Sequence, residues 1–114
     1  MIQQAMYKQH RILLMIPAYN DETNVGKVIE KIPKDIVDGV VFVNDGSQDK
    51  TGEVIKEGLK KLGFGVLINF EKNRGLGPGF KAMFDYAKKE KYDIGVIVAG
   101  DDQDDPRELH KLVK

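Results

Sequence analysis

The chain has 114 residues, 41% of them hydrophobic, and its 18 lysine and arginine residues balance 18 aspartate and glutamate residues. This length suits at most one domain with a small hydrophobic core. The zero net charge gives no general attraction to nucleic acid, and the absence of cysteine excludes disulfides, thiolate metal sites and a cysteine nucleophile. No apolar run reaches the length of a membrane span, so we expect a soluble, cytoplasmic protein.

Short apolar runs alternate along the chain with segments of helical periodicity. We interpret the runs as strands at residues 11–16, 40–43, 66–68 and 94–99. Apolar side chains recur at helical spacing in residues 25–32, 54–62 and 80–87. A last helix is predicted after Asp105. Strands that are apolar throughout favour a parallel sheet with helices on both faces, and right-handed crossovers give its strands the order 3-2-1-4.

Polar and glycine-rich segments follow the four predicted strands. Parallel strands place their carboxyl ends at one edge of a sheet, so these segments are expected to share a rim. They cover residues 17–22, 44–47, 72–79 and 100–105. This convergence predicts a binding site at that edge, at the switch point between the first and fourth strands.

The fourth segment is strongly acidic. It joins four carboxylates and an amide, which are Asp101, Asp102, Gln103, Asp104 and Asp105. Such crowding is tolerated when a cation or hydrogen-bond donors share the space, and an oxygen-only set suits Mg²⁺ or Mn²⁺. In an extended turn Asp101 and Gln103 face one side while Asp102 and Asp104 face the other. The alternative is a solvated loop in which Asp105 caps the next helix.

The third segment combines glycines with basic residues. Gly75, Gly77 and Gly79 open a predicted helix. The free N–H groups and dipole at a helix start favour a phosphate, although glycines there also serve tight turns. Lys72 and Arg74 flank the glycines and are able to neutralise a diphosphate, unless they are simply solvated. The spacing is not that of a dinucleotide-binding fingerprint.

The first two segments carry groups that suit a nucleoside. Asp45 is able to accept a hydrogen bond from a nucleobase or a ribose hydroxyl, or it closes a turn with the backbone. Tyr19 is able to stack on a base, or it covers the first helix. Ser47 has no histidine nearby to activate it, so we interpret it as a turn or cap residue and not as a nucleophile.

In their order along the chain, these segments resemble the motifs of family 2 glycosyltransferases. The resemblance is strongest to the dolichol- or polyprenyl-phosphate mannosyl- and glucosyltransferases, and it extends over residues 11–113. The motifs that carry it are Ile16-Pro17-Ala18-Tyr19-Asn20-Asp21-Glu22, Val43-Asn44-Asp45-Gly46-Ser47-Gln48-Asp49-Lys50-Thr51, Asn73-Arg74-Gly75-Leu76-Gly77 and Gly100-Asp101-x-Gln103-x-Asp105-Pro106.

The resemblance implies a Rossmann-like, three-layer α/β nucleotide-diphospho-sugar transferase fold and a GDP- or UDP-sugar donor. It also implies a divalent ion, Mg²⁺ or Mn²⁺, with Asp101 and Gln103 as ligands. Combined with the loop chemistry above, it gives the nucleotide-binding residues that we expect: Pro17, Ala18, Tyr19, Glu22, Asn44, Asp45, Gly46, Lys72, Asn73, Gly75 and Asp101.

The chain departs from the family's pattern at two positions and in length. The first aspartate of the family's Asp-x-Asp motif falls at Ala99, and Asn44 stands where aspartate is common. Enzymes of this kind are longer than this chain. We therefore expect residues 1–10 to be a leader and residues 11–114 to be the nucleotide-sugar-binding half of a domain that is truncated at its C-terminus. The acceptor contacts and the unidentified general base are expected in the absent half.

For a full-length enzyme the resemblance implies an inverting displacement of the sugar onto a saccharide or lipid-phosphate acceptor. A polyprenyl-phosphate acceptor would bring that enzyme to a membrane surface. No nucleic-acid partner is expected, whereas the exposed edge of the sheet is able to pair with a second copy.

Two other functions are compatible with the sequence. A non-catalytic nucleotide-binding fragment or module is the alternative that Ala99 favours. A sugar-phosphate nucleotidyltransferase is the less favoured alternative, because its glycine-rich signature would follow the first strand, where this chain has residues 17–20. A titration with nucleotide sugars and a turnover assay would separate binding from catalysis.

Overall fold

The computed structural model describes residues 10–98. Its elements in chain order are β1 (Ile12–Ala18), α1 (Val25–Glu30), β2 (Gly39–Asp45), α2 (Thr51–Leu62), β3 (Val66–Phe70), α3 (Leu76–Lys89) and β4 (Ile94–Ile97). The four strands form one sheet in the order β3-β2-β1-β4, and every pair is parallel. The predicted strand order is therefore confirmed. None of the helices in the described part is long and apolar enough to cross a membrane.

Helices cover both faces of the sheet. On one face, α1 and α2 place Val28 and Ile55 in a core cluster with Phe42. On the other face, α3 packs Met83 against Met15. Because alternate residues of a strand point to opposite faces, the central strands must be apolar at every position. The predicted three-layer α/β arrangement is confirmed.

The first strand is longer than the sequence predicts. We expected Pro17 to end it, but β1 runs through Pro17 to Ala18. The last residue of β4 that pairs with β1 is Ile97, which lies opposite Met15. The Val98 N–H still donates to the Met15 carbonyl oxygen at 3.0 Å, and the next β1 residue on that side is Pro17, which has no N–H to continue this ladder. This extension carries Pro17 and Ala18 to the edge of the sheet as ordered strand residues.

The second strand also extends beyond its predicted end. Asn44 and Asp45 were expected in a turn, yet both pair with β3 as the last residues of β2. The turn starts at Gly46, whose φ of 69° lies in the left-handed region that glycine adopts without strain. The side chains of Asn44 and Asp45 are thus held by the sheet and not by a flexible loop.

The fourth strand is less buried than predicted. We expected a buried strand over residues 94–99, but the structure gives Ile94–Ile97 with Ile97 43% exposed. Phe84, which we placed on the core stripe of its helix, is 50% exposed as well. Among the described residues, β4 lies at the edge of the sheet and α3 packs over β1 and β2. Ala99 lies outside the described residues.

Candidate functional site

The carboxyl ends of three strands meet at one edge of the sheet. Ala18 of β1 pairs with Asn44 of β2, and Asn44 pairs with Asn69 of β3. These residues form a row directly beneath the loops that follow the strands. Because β4 lies on the other side of β1, this edge includes the switch point at which open α/β sheets bind ligands. The shared rim is confirmed for the first three loops.

We name the rim loops after the strands that they follow: loop 1 is residues 19–24, loop 2 is residues 46–50 and loop 3 is residues 71–75. The predicted metal ligands Asp101 and Gln103 lie outside the described residues. Within residues 10–98, no three acidic, histidine or cysteine side chains cluster closely enough to hold a metal ion. The metal site at Asp101 and Gln103 thus stays a prediction.

Asp45 ties β2 to loop 3. Its Oδ1 accepts a hydrogen bond from the Arg74 backbone N–H at 2.8 Å, and its Oδ2 accepts one from the Gly75 N–H at 3.0 Å. The side chain is only 7% exposed, and charge-assisted bonds of this kind are among the stronger ones in proteins. Two N–H groups at the start of α3 are therefore already occupied. A phosphate there would use N–H groups further along the helix or the side chains of loop 3.

Gly46 lets loop 3 approach loop 2 at backbone distance. A Cβ atom at this position would lie 2.3 Å from the backbone nitrogen of Asn73 and 2.4 Å from the carbonyl carbon of Lys72. No side chain fits in that space. Asp45 and Gly46 therefore hold loop 3 against the end of β2 and the start of loop 2. The Asp45 carboxylate accepts the hydrogen bonds, and the absence of a Cβ at Gly46 allows the two backbones to approach.

Loop 2 and the start of α2 also bond to loop 1. The backbone N–H groups of Asn20, Asp21 and Glu22 donate in turn to the Ser47 hydroxyl at 2.9 Å, the Thr51 hydroxyl at 2.8 Å and Asp49 Oδ2 at 3.3 Å. In return, the Gln48 N–H donates to Asn20 Oδ1 at 2.9 Å. Loop 2 is therefore hydrogen-bonded to loop 1, while the end of β2 is hydrogen-bonded to loop 3.

The Asp49 carboxylate is held in place by the hydrogen bonds that it accepts. It accepts them from the backbone N–H groups of Glu22 and Thr51 and from the Thr51 hydroxyl. Partial burial raises the pKa of its carboxyl, but these hydrogen bonds, first among them the one from the Thr51 hydroxyl, lower the pKa by more. The pKa of Asp49 therefore lies below its ordinary value of 3.8. The charged form is the one that joins loops 1 and 2.

We expect Asp49 to make stability depend on pH in the acidic range. A carboxyl whose pKa is lower in the folded than in the unfolded state adds stability above pH 3.8 and loses it as the pH falls through the folded-state pKa. The difference in unfolding free energy between the wild type and Asp49→Asn should therefore shrink below pH 3.8. Urea unfolding at a series of pH values measures it, and equal differences at about pH 7 and about pH 3 would contradict the assignment.

Asn44 uses both ends of its amide. Its Nδ2 donates to Asn69 Oδ1 at 3.1 Å, while its Oδ1 accepts from the Ser47 N–H at 3.3 Å. Its side chain is 9% exposed. An aspartate at position 44 has no N–H to donate to Asn69 when it is ionised. The asparagine therefore fits its neighbour in this chain.

The remaining predicted nucleotide-binding residues differ in exposure. Pro17 is half-buried and Ala18 is buried, whereas Glu22 is exposed. The Tyr19 side chain is 45% exposed, so much of its ring is open to solvent and free to stack on a base. Whether these residues bind nucleotide stays a prediction.

The two basic residues of loop 3, Lys72 and Arg74, have different surroundings. The Arg74 guanidinium lies over the Phe70 ring, 4.8 Å from its centroid, in a cation–π contact. Lys72 and Asn73 are exposed, and Gly75, with a φ of 87°, is the residue that precedes the first turn of α3. The glycine segment thus opens a helix, as the sequence predicts.

A cleft of about 540 Å³ lies between α1 and α2. It is lined by apolar side chains, among them Ile29 and Leu62, and by lysine and glutamate side chains in equal number. None of the predicted nucleotide-binding residues lines it. Its concave shape alone does not make it the site, because the groups able to recognise a nucleotide lie at the rim.

A comparison with protein families identifies the family to which this chain belongs. The model of glycosyl transferase family 2 matches residues 14–114, which include all three rim loops. The chain belongs to glycosyl transferase family 2. The resemblance that its motifs indicate is therefore confirmed.

Curated proteins are similar to this chain along most of its length. An uncharacterised protein of Methanocaldococcus jannaschii is 37% identical over 105 residues, which are 90% of this chain and 45% of that protein. A polyprenol monophosphomannose synthase of Mycolicibacterium smegmatis is 31% identical over 108 residues, 90% of this chain and 40% of the synthase. The chain thus spans less than half the length of these relatives.

A solved glycosyltransferase structure shares the fold. A mannosyltransferase from Pyrobaculum calidifontis, in complex with GDP-Man and Mn²⁺, superposes with a TM-score of 0.76. The match is 21% identical in sequence and covers 91% of this chain and 30% of the mannosyltransferase. At this level of identity the comparison establishes the α/β fold of the described strands and helices.

Three residues that form hydrogen bonds at the rim are not among those predicted from the sequence. Asp49 and Thr51 bond to loop 1, and Asn69 bonds to Asn44. A signal for the first two is present, since Ser47, Asp49 and Thr51 are polar residues spaced two apart directly after a strand. Ser47 was expected to be a turn or cap residue, but its hydroxyl accepts from the Asn20 N–H of loop 1, 27 positions away. No comparable signal marks Asn69.

Proposed function

We propose that the chain is the donor-binding part of a glycosyltransferase that uses a nucleoside-diphosphate sugar. The observation that carries the proposal is the rim at the switch point of a family 2 chain, where loop 1 is bonded to loop 2 and loop 3 is bonded to Asp45 at the end of β2. The rim offers an exposed aromatic ring at Tyr19, carboxylates and an amide at the strand ends, and basic residues in loop 3. These are the groups that a base, a ribose and a diphosphate require.

The donor is a GDP- or UDP-sugar. The mannosyltransferase of the same fold holds GDP-Man, and the similar synthase of Mycolicibacterium smegmatis is named for mannose, so we propose a GDP-sugar first. Residues at the ends of β1 and β2, among them Tyr19 and Asp45, would face the nucleoside. Lys72 and the start of α3 would face the diphosphate, where positive charge and helix N–H groups favour an anion.

Asp45 is compatible with this role even though loop 3 engages both of its oxygens. An ionised carboxylate has about four acceptor sites, and each Asp45 oxygen uses one for a backbone N–H. Each oxygen retains the capacity to accept a second hydrogen bond from a base or ribose. The carboxylate would then fix loop 3 and read the nucleoside at once.

A divalent ion, Mg²⁺ or Mn²⁺, is proposed at Asp101 and Gln103. The oxygen-only donors of this segment fit a hard cation, and the Pyrobaculum mannosyltransferase contains Mn²⁺. When bound, such an ion would neutralise the charge of the departing nucleoside diphosphate. With Ala99 supplying no oxygen, we expect the ion to bind weakly until diphosphate oxygens complete its shell.

Replacing a proposed ligand should therefore weaken metal binding in the presence of nucleotide. We expect Asp101→Asn to lower the affinity for Mn²⁺ in the presence of GDP by at least roughly 10–100-fold. The loss of a residue that only supports a metal ligand already has an effect of this size. Asp102→Asn is the matched control and should change it little. Electron paramagnetic resonance titration of free Mn²⁺ measures both. Equal losses in the two variants, or tight Mn²⁺ binding without GDP, would contradict the ligand assignment.

The acceptor is proposed to be a lipid phosphate such as a polyprenyl phosphate, with a saccharide as the other candidate. The similar synthase is named for a polyprenol product, which supports the first. The whole protein would then work at a membrane surface. The general base that activates the acceptor is not assigned to a residue of this chain.

Calorimetric titration of the chain tests the proposed donor. We expect GDP-mannose to bind in the presence of Mn²⁺, more tightly than UDP-glucose and more tightly than without the metal. A radiolabelled-mannose transfer assay with polyprenyl phosphate in detergent then distinguishes an enzyme from a binding module. The absence of binding by either nucleotide sugar, with the chain folded, would overturn the proposal.

A further inference from the structure

Loop 1 is held by hydrogen bonds and not by packing. Within residues 19–23, every residue is exposed except Asp21, which is partly buried. Hydrophobic burial is therefore too small to fix the conformation of this segment. Three consecutive backbone N–H groups, from Asn20 to Glu22, point instead at side chains of loop 2 and α2.

The bonds also hold loop 1 in a conformation that it would not favour alone. Asn20 has a φ of 50°, in the left-handed region that asparagine tolerates better than most residues. Its N–H and its side-chain oxygen are both engaged, by Ser47 and by the Gln48 N–H. A backbone conformation of this kind persists when its surroundings determine it, and here loop 2 does so.

Thr51 is the buried centre of this contact. Its side chain is fully buried at the start of α2, and its hydroxyl accepts from the Asp21 N–H while donating to Asp49. Asp49 also accepts from the Glu22 N–H. The Thr51 hydroxyl of α2 and the Asp49 carboxylate of loop 2 thus bind two successive residues of loop 1. The three side chains, at every second position from Ser47 to Thr51, thus accept hydrogen bonds from three successive backbone N–H groups of loop 1.

We propose that Ser47, Asp49 and Thr51 are positioning residues for the donor nucleotide. They hold the backbone of loop 1 so that the exposed side chains of Tyr19 and Glu22 face the ligand side, and they raise nucleotide affinity without touching the ligand. This inference rests on the proposed function, since it assigns a task to residues next to the donor site. Ser47, Asp49 and Thr51 would thus position loop 1, whereas Asp45, in the same motif, binds loop 3.

Variants of Thr51 separate the hydroxyl from the volume of the side chain. Thr51→Val keeps the shape and removes the hydroxyl, whereas Thr51→Ser keeps the hydroxyl. Ile55→Val is the control for a general loss of stability, because Ile55 is fully buried on the same helix and belongs to the core cluster on that face. Ser47→Ala removes one of the same bonds at a half-buried position, so it remains informative if Thr51→Val does not fold.

The experiment measures GDP-mannose affinity with Mn²⁺ by calorimetry and amide hydrogen exchange at residues 20–22 by NMR. We expect Thr51→Val and Ser47→Ala to weaken affinity by about tenfold and to speed exchange at these amides, because unpaired N–H groups no longer fix the loop. Thr51→Ser should restore both values to near those of the wild type. Ile55→Val should lower thermal stability while leaving affinity unchanged.

The outcomes distinguish this inference from the proposed function. A wild-type chain that binds neither GDP-mannose nor UDP-glucose overturns the proposed function and the positioning role with it. A wild-type chain that binds, with Thr51→Val and Ser47→Ala binding equally well, overturns the positioning role alone. Affinity that falls in Ile55→Val as much as in Thr51→Val assigns these residues to stability only, and this also overturns the role.

Discussion

Replacing Gly46 with alanine is expected to destabilise the protein more than any other single rim substitution considered. A Cβ would lie 2.3 Å from the Asn73 backbone nitrogen, so loop 3 must move away from loop 2. Alanine at a φ of 69° adds about 1–2 kcal/mol of backbone strain. Overpacking against backbone atoms, which cannot rotate away as a side chain can, adds about 1–3 kcal/mol. We expect a total loss of about 2–5 kcal/mol in the free energy of unfolding.

Gly63→Ala is the matched control for the Gly46 substitution. Gly63 also has a left-handed φ, at 93°, but a Cβ there meets nothing within 4 Å. The control should therefore show the backbone strain alone, about 1–2 kcal/mol. Chemical unfolding of both variants measures the difference, which reports the contact with loop 3. Equal losses at the two positions would show that loop 3 does not approach Gly46 closely.

Replacing Asp45 with alanine is expected to impair both stability and nucleotide binding. The substitution removes the acceptor for the Arg74 and Gly75 N–H groups, which lie 2.8 and 3.0 Å from its oxygens. Loss of such a partner costs about 1–3 kcal/mol in the free energy of unfolding, and we expect a similar loss in the binding of GDP or UDP. Unfolding and calorimetry on the same preparations measure the two effects.

Asp85→Ala is the control for the loss of a carboxylate. Asp85 lies on the surface of α3 and pairs with Lys81 at 2.9 Å, with both side chains largely exposed. Such a pair contributes about 0–1 kcal/mol, so this variant should behave almost as the wild type. If Asp45→Ala retains full nucleotide affinity while losing stability, Asp45 serves only to fix loop 3.

The order and packing of the sheet could be predicted because they follow from local patterns. Residues 12–16 are apolar at every position, and the structure shows why, since alternate residues enter the two core clusters. The extent of the strands could not be predicted in the same way. Pro17 was expected to end the first strand, yet β1 continues through it because Pro17 and Ala18 still pair with β2. Similarly, Ile97 is exposed at the edge of the sheet that the described residues form, and an apolar run in the sequence does not show which strand lies at the edge.

The membership of the rim could be predicted, whereas its internal bonds could not. The polar segments after successive strands converge because parallel strands end at one edge. Which oxygen meets which N–H depends on residues distant in the sequence, as with Asp45 and Arg74, 29 positions apart. The same holds for Asp21 and Thr51, 30 positions apart. The sequence left two roles open for Asp45, a nucleoside contact or a local turn, and the structure shows instead that its carboxylate binds loop 3, while Asn44 accepts from the Ser47 N–H of the turn.

The most direct test of the donor-binding rim is an NMR titration of the isotope-labelled chain with GDP-mannose and Mg²⁺. We predict that backbone amide shifts concentrate in residues 17–22, 44–47 and 72–75, the three segments that meet at the carboxyl edge. The cleft between α1 and α2, reported by Gly26, Gly58 and Leu62, should remain unchanged. Shifts confined to that cleft, or no shifts at saturating GDP-mannose, would contradict the assignment of the rim as the donor site.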